Sequence, residues 1–127
     1  MGFTLFGKTS MQIQRHGTTR RYSDSVVHNG TVYLVEVPSN LDGDITAQTT
    51  NLLAGIERLL EQAGSDRSKL LMVTIYLADM ADYDALNAVW DAWVPEGHAP
   101  TRACVQARLA NPGFRVEMAV TAAVAQG

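Results

Sequence analysis

Arginine, cysteine, glutamine and arginine occupy alternate positions in Arg102-Ala-Cys104-Val-Gln106-Ala-Arg108. Successive strand residues point to opposite faces, so as a strand this segment would present Arg102, Cys104, Gln106 and Arg108 together and send Ala103, Val105, Ala107 and Leu109 the other way. Further on, Val116, Met118 and Val120 have the spacing of a core-facing row, which turns Arg115, Glu117 and Thr121 to the opposite side. Pairing of these two strands through a turn at 110–113 would bring Glu117 near Gln106, on the face that carries Arg102 and Cys104. A guanidinium, a thiol and a carboxylate would then share one surface. An arginine partly removed from water needs an anion, because an unpaired buried charge is very costly. Its planar fork suits a carboxylate taken in two parallel hydrogen bonds. Two readings stay open: Arg102 pairs with Glu117 or another acid and holds strands or subunits together, or it grips a carboxylate from outside. Cys104 has no histidine placed in sequence to activate it, and reads as a small buried residue rather than a nucleophile.

Other chemistries lack the residues they need. Cys104 is the only cysteine among 127 residues, so no disulfide can form within the chain and no multi-cysteine zinc site exists. A reducing cytoplasm is the expected compartment. His16, His28 and His98 are far apart and lack ligand spacing, so no metal is expected. The net charge of −3, from 10 basic and 13 acidic residues, argues against a nucleic-acid binder that relies on a broad positive surface. Arg15, Arg20 and Arg21 read as a solvated edge. No run reaches the ~18 to 20 apolar residues of a membrane span. Residues 1–10 lack the charged start and long apolar run of a signal peptide, and are expected to be a poorly ordered extension to a single domain over 11–127.

The elements that must carry these residues follow from spacing. A short strand is expected at 12–16. Ser25–His28 and Thr31–Val37 flank Asn29-Gly30, the strongest short hairpin signal, and Pro38 ends the second strand. Asp42 and Asp44 offer caps to a helix over 45–63, whose Ile45, Thr49, Leu52, Leu53, Ile56, Leu59, Leu60 and Ala63 recur at three- and four-residue steps. Gly64 is placed to stop it. Leu70–Leu77 reads as a strand with Leu71, Val73, Ile75 and Leu77 on one face and Leu70, Met72 and Tyr76 on the other. Asp82 can cap a second helix with Tyr83, Leu86, Val89, Trp90 and Trp93 at core spacing. Strands at 101–109 and 114–124 follow, around Asn111-Pro112-Gly113.

Hairpin-joined strands with only two helices predict an α+β fold, with both helices on one face of a mixed sheet. The strand at 70–77 is apolar on both faces, and two helices on one side leave the other side bare. Soluble monomers rarely expose such a patch. At ~25 cal/mol per Å², several hundred Å² supply on the order of ten kcal/mol of drive before the costs of binding, so self-association through the bare face is expected.

Pro100-Thr-Arg102-Ala-Cys104-Val, with Glu117-Met118 beginning fifteen residues after the arginine, resembles the signature of the RidA/YjgF reactive-intermediate deaminase family. Tyr22-Ser23 resembles its early tyrosine motif, and Asp82-Tyr83 with Asn87, Trp90 and Trp93 its second-helix pattern. The likeness runs from Met11 onward and is strongest to the YoaB branch. It implies a chorismate-mutase-like fold, a homotrimer with pockets between subunits, and hydrolysis of enamines or imines to 2-oxo acids and ammonia without metal or organic cofactor. By position, Arg102 would hold the substrate carboxylate and Glu117 would position water or assist proton transfer. Tyr22, Asn87, Ala103 and Cys104 would line the pocket. The chain departs from the family at Val35-Glu36, where a small Ser-Gly pair is usual. Glu36 then fills the pocket, pairs with Arg102, or points away and leaves room for a different compound. A non-catalytic carboxylate-binding trimer is the alternative reading. A ribonuclease, an activity attributed to some relatives, is disfavoured by the acidic charge.

Overall fold

A short edge strand, β1 (Gln14–His16), opens the fold in the computed structural model, which describes residues 12–125. The extension expected at 1–10 lies outside the described residues. β1 pairs antiparallel with β2 (Ser25–His28), which turns into β3 (Thr31–Glu36) through Asn29 and Gly30. Their φ angles of 53° and 80° are the left-handed pair a two-residue hairpin requires, and these two residue types reach them at least cost. Helix α1 (Ile45–Gln62) starts where the Asp44 carboxylate accepts the Ala47 N–H at 2.9 Å, and Gly64 follows its end with a φ of 85°. Its Ile45, Leu52, Leu53, Ile56 and Leu60 are buried. So is Gln48, whose Nε2 donates to the Gly113 carbonyl at 2.9 Å while its Oε1 accepts the Arg115 N–H at 2.8 Å.

The remaining elements are β4 (Leu70–Leu77), α2 (Tyr83–Trp93), β5 (Thr101–Gln106) and β6 (Val116–Ala123). They complete a six-stranded sheet in the order β1-β2-β3-β6-β4-β5, with β4 and β5 parallel and the other neighbours antiparallel. β3 and β4, each antiparallel to β6, run the same way. The chain therefore makes two parallel crossovers, β3–α1–β4 and β4–α2–β5, that step in the same direction across the sheet. Such crossovers share one hand, so both helices fall on the same face. The α+β architecture expected from the spacing is present.

Three expectations are corrected. The strands at 101–109 and 114–124 do not pair: β6 inserts between β3 and β4, and β5 is the outer strand beside β4. The turn is real, with Phe114 N–H donating to the Asn111 carbonyl at 3.0 Å. It serves instead a connection that wraps the end of β4, tied there by Ala107 N–H to the Leu77 carbonyl and by Ala78 N–H to the Arg115 carbonyl. In β4 a register shift between Leu70 and Met72 breaks the alternation. Leu70 joins Val73, Ile75 and Leu77 in the core, and Leu71 lies half exposed. Asp82 makes no side-chain cap to α2. Asp79, one turn earlier, accepts the Ala81 N–H at the start of a short 3-10 turn.

The face away from the helices is bare and apolar, as expected. Tyr33, Val35, Met72 and Val105 are 46%, 52%, 50% and 41% exposed there.

Candidate functional site

Tyr83, Asn87 and Trp90 stand at positions i, i+4 and i+7 of α2, which places them on one face of the helix. That face looks down on β5. Arg102 is the partner of Val73, a core residue of β4, so it points to the same side. Its Nη1 donates to Asn87 Oδ1 at 2.9 Å and its Nη2 to the Tyr83 hydroxyl at 3.3 Å. The guanidinium carbon lies 5.5 Å from the Trp90 ring centre and 5.9 Å from that of Tyr83, within reach of a cation–π attraction.

Every one of these partners is neutral. Arg67, Lys69 and Arg115 each find a carboxylate, in Glu57, Asp66 and Asp82 respectively. Among the described residues Arg102 forms no ion pair, and pairing with Glu117 within the subunit is ruled out by the sheet. Glu117 is opposite Tyr76, which is opposite Val105, so all three belong to the bare face. Arg102 and Cys104 lie on the helix face. The expectation that guanidinium, thiol and carboxylate share one surface fails because it assumed a β5–β6 hairpin.

The other expected site residues divide in the same way. Cys104 is beside Ile75, half-buried near Arg102. Burial pushes its thiol pKa up, and the nearby Arg102 charge only partly offsets this. The thiol stays protonated at neutral pH, a poor nucleophile. Ala103 and Val35 are exposed on the bare face.

Glu36 is on the helix face, in a row that runs Glu36–Met118–Ile75–Cys104. Three strand spacings of about 4.8 Å separate the ends of that row by roughly 14 Å, so Glu36 does not reach Arg102 within the subunit. It faces α1 instead, in a hollow of about 380 Å³ whose lining includes His16, Asp24, Gly55 and Arg58. Tyr22 is 63% exposed in the loop between β1 and β2, across the sheet from β5.

Spacing alone assigned Tyr83 and Trp90 to the core. Trp90 is indeed buried, but Tyr83 is 38% exposed and turned to Arg102. The i, i+4, i+7 relation with Asn87 was the signal that could have found this. Two further hollows contain neither Arg102 nor Glu117. One, of about 430 Å³, includes Gln106, Arg108, Asn111 and Phe114 in its walls; the other, of about 380 Å³, opens on the bare face around Tyr33, Met72 and Ala119. The subunit offers a grip for an anion without enclosing it.

Residues 12–124 match the family described as Endoribonuclease L-PSP. The chain is 51% identical over 114 residues to a RutC family protein, YoaB, of Escherichia coli strain K12, covering 90% of this chain and 100% of the relative. It is 42% identical to a RutC family protein of Haemophilus ducreyi, over 88% of this chain and 97% of that one. A YjgF-family structure from Neisseria meningitidis superposes with a TM-score of 0.87 at 48% identity, covering 93% of this chain and 99% of that one. A sheet and helix pair of this order, matched along nearly its whole length, place the chain in the YjgF/RidA family.

Proposed function

We propose that the protein is a homotrimeric enzyme that hydrolyses reactive enamines or imines to 2-oxo acids and ammonia, with Arg102 holding the substrate carboxylate. The observation that carries this reading is the guanidinium held, among the described residues, by neutral groups alone. A positive charge fixed by an amide oxygen, a phenol and an indole, with no acid of its own, is disposed to bind an anion. The chemistry asks little more. Water adds to the imine carbon, a proton passes to nitrogen, and the resulting carbinolamine re-forms a carbonyl as ammonia leaves. Fixing the carboxylate lowers the entropy cost of that addition, and one group to shuttle the proton suffices.

Tyr22 and Arg102 stand at opposite sides of the sheet. They meet in one pocket only when two copies build it, in accord with the trimer and the chorismate-mutase-like assembly that the family resemblance implies. Asn87 and Cys104 contribute to that pocket from the Arg102 side, and Ala103 by its backbone. Val35 and Glu36 belong to the Tyr22 side. Glu117 enters as the water-positioning group on the resemblance alone; within the subunit it faces away from Arg102, so a neighbouring copy has to bring it to the ligand. No metal or organic cofactor is required, and the cytoplasm supplies the reactive substrates. A ribonuclease finds less support, since the net charge is −3.

The decisive assay is release of 2-oxobutanoate from freshly generated 2-iminobutanoate. The wild type should exceed the buffer rate, Arg102→Ala should raise KM about tenfold or more through loss of a charge-assisted contact, and Glu117→Gln should lower kcat with KM little changed. Buffer-level release by the wild type, with Arg102→Ala behaving identically, rejects the enzyme. Ligand-induced thermal stabilisation that needs Arg102, without turnover, would select the binding trimer instead.

A further inference from the structure

We propose that the Tyr83 hydroxyl is a second carboxylate-recognition group, donating its proton to the bound acid while it accepts from Arg102. This rests on the carboxylate-binding reading of Arg102 and adds a specificity determinant to it. A phenol carries one proton and two lone pairs. Arg102 Nη2 uses a lone pair, at 3.3 Å, and a guanidinium accepts nothing in return. The Tyr83 proton therefore remains to be used, and among the described residues it has no acceptor. Tyr83 is 38% exposed, so the hydroxyl stands at the mouth of the site rather than within the core. An acid oxygen bound to Nη2 arrives beside this hydroxyl.

The contrast with Asn87 sharpens the assignment. Asn87 Oδ1 holds Nη1 at 2.9 Å and presents an acceptor, which fixes the guanidinium and repels an anion. Tyr83 holds the other terminal nitrogen more loosely and through a group that can also donate. One partner positions the arginine; the other is suited to recognise what the arginine binds. The result is two donors side by side, Arg102 Nη2 and the Tyr83 hydroxyl. A carboxylate satisfies them with two acceptor oxygens, whereas an amide offers one oxygen and leaves either the guanidinium, which cannot accept its N–H₂, or the hydroxyl proton without an acceptor. Unpaired donors of this kind are what allow a polar site to reject a near-isostere.

Tyr83→Phe keeps the ring over the guanidinium and removes only the hydroxyl. Binding of 2-oxobutanoate and of 2-oxobutanamide is measured by calorimetry for the wild type, Tyr83→Phe and Arg102→Ala, with ligand-free melting as the check on folding. Loss of one hydrogen bond to a charged group should weaken 2-oxobutanoate about tenfold in Tyr83→Phe, with the amide unchanged, so that the acid-over-amide preference falls by the same factor. Equal or tighter 2-oxobutanoate binding by Tyr83→Phe overturns the proposal. So does parallel weakening of both ligands, which would show the ring merely propping Arg102. Failure of the underlying reading looks different: the wild type binds no 2-oxobutanoate, or Arg102→Ala binds it as well as the wild type.

Discussion

Glu36 sits where the family resemblance expects a small residue, and Gly55 is what makes room for it. A Cβ at Gly55, in the middle of α1, would come within 2.2 Å of the Glu36 Oε2. The carboxyl is half-buried against the helix backbone. Burial raises its pKa above 4.5, against the lowering effects of the Val37 N–H and the Arg58 charge, and Asp24 adds a smaller rise. A raised folded-state pKa means that the protonated form is favoured by folding. The stability this contributes is fully present below the unfolded value and is lost as pH rises through the folded one. Glu36→Gln, which stays neutral, should therefore melt above the wild type near about pH 7, and the gap should close on lowering the pH to about 4. Melting curves across that range check it; a gap that does not change with pH would mean the carboxyl is not the cause.

At the scale of elements, Gln48 joins α1 to the connection that leads into β6. It fills its buried position by serving Gly113 and Arg115 on a segment more than sixty residues away. Gln48→Ala leaves the Arg115 N–H and the Gly113 carbonyl without these partners and should cost about 2–4 kcal/mol by urea unfolding; a loss below about 1 kcal/mol would show water replacing the amide. Sequence patterns disclosed α1, the Asn29-Gly30 hairpin and the two-helix sheet because each depends on neighbours a few residues apart. They did not disclose which strands lie side by side. The turn at Asn111–Gly113 looks the same whether it closes a hairpin or carries the chain around β4, and only the competition among distant strands decides. Arg102 was legible as a grip through its motif and its fork. Its neutral partners were not, because they required knowing that the Tyr83–Asn87–Trp90 face of α2 lies over β5. The error in placing Glu117 has the same origin.

For the whole molecule, the outcome of two same-direction crossovers is a sheet with one dressed side and one bare side. Tyr33, Val35, Met72 and Val105 lie on the bare side, where burying apolar surface in the proposed trimer would contribute ~25 cal/mol per Å². Met72→Lys places a charge in that face, and should convert the proposed trimer to monomers in light scattering at micromolar concentration. A wild-type monomer, or a mutant trimer of unchanged stability, would remove this face from the interface. The sheet order has one more consequence. β6, made after every other described strand, occupies a central place between β3 and β4. While a ribosome is still producing the chain, β1–β3 and β4–β5 exist as separate pieces with facing unpaired edges, and only emergence of Val116–Ala123 lets them close on each other. The nascent protein thus has to wait for β6, with the edges most prone to aberrant pairing left open until then.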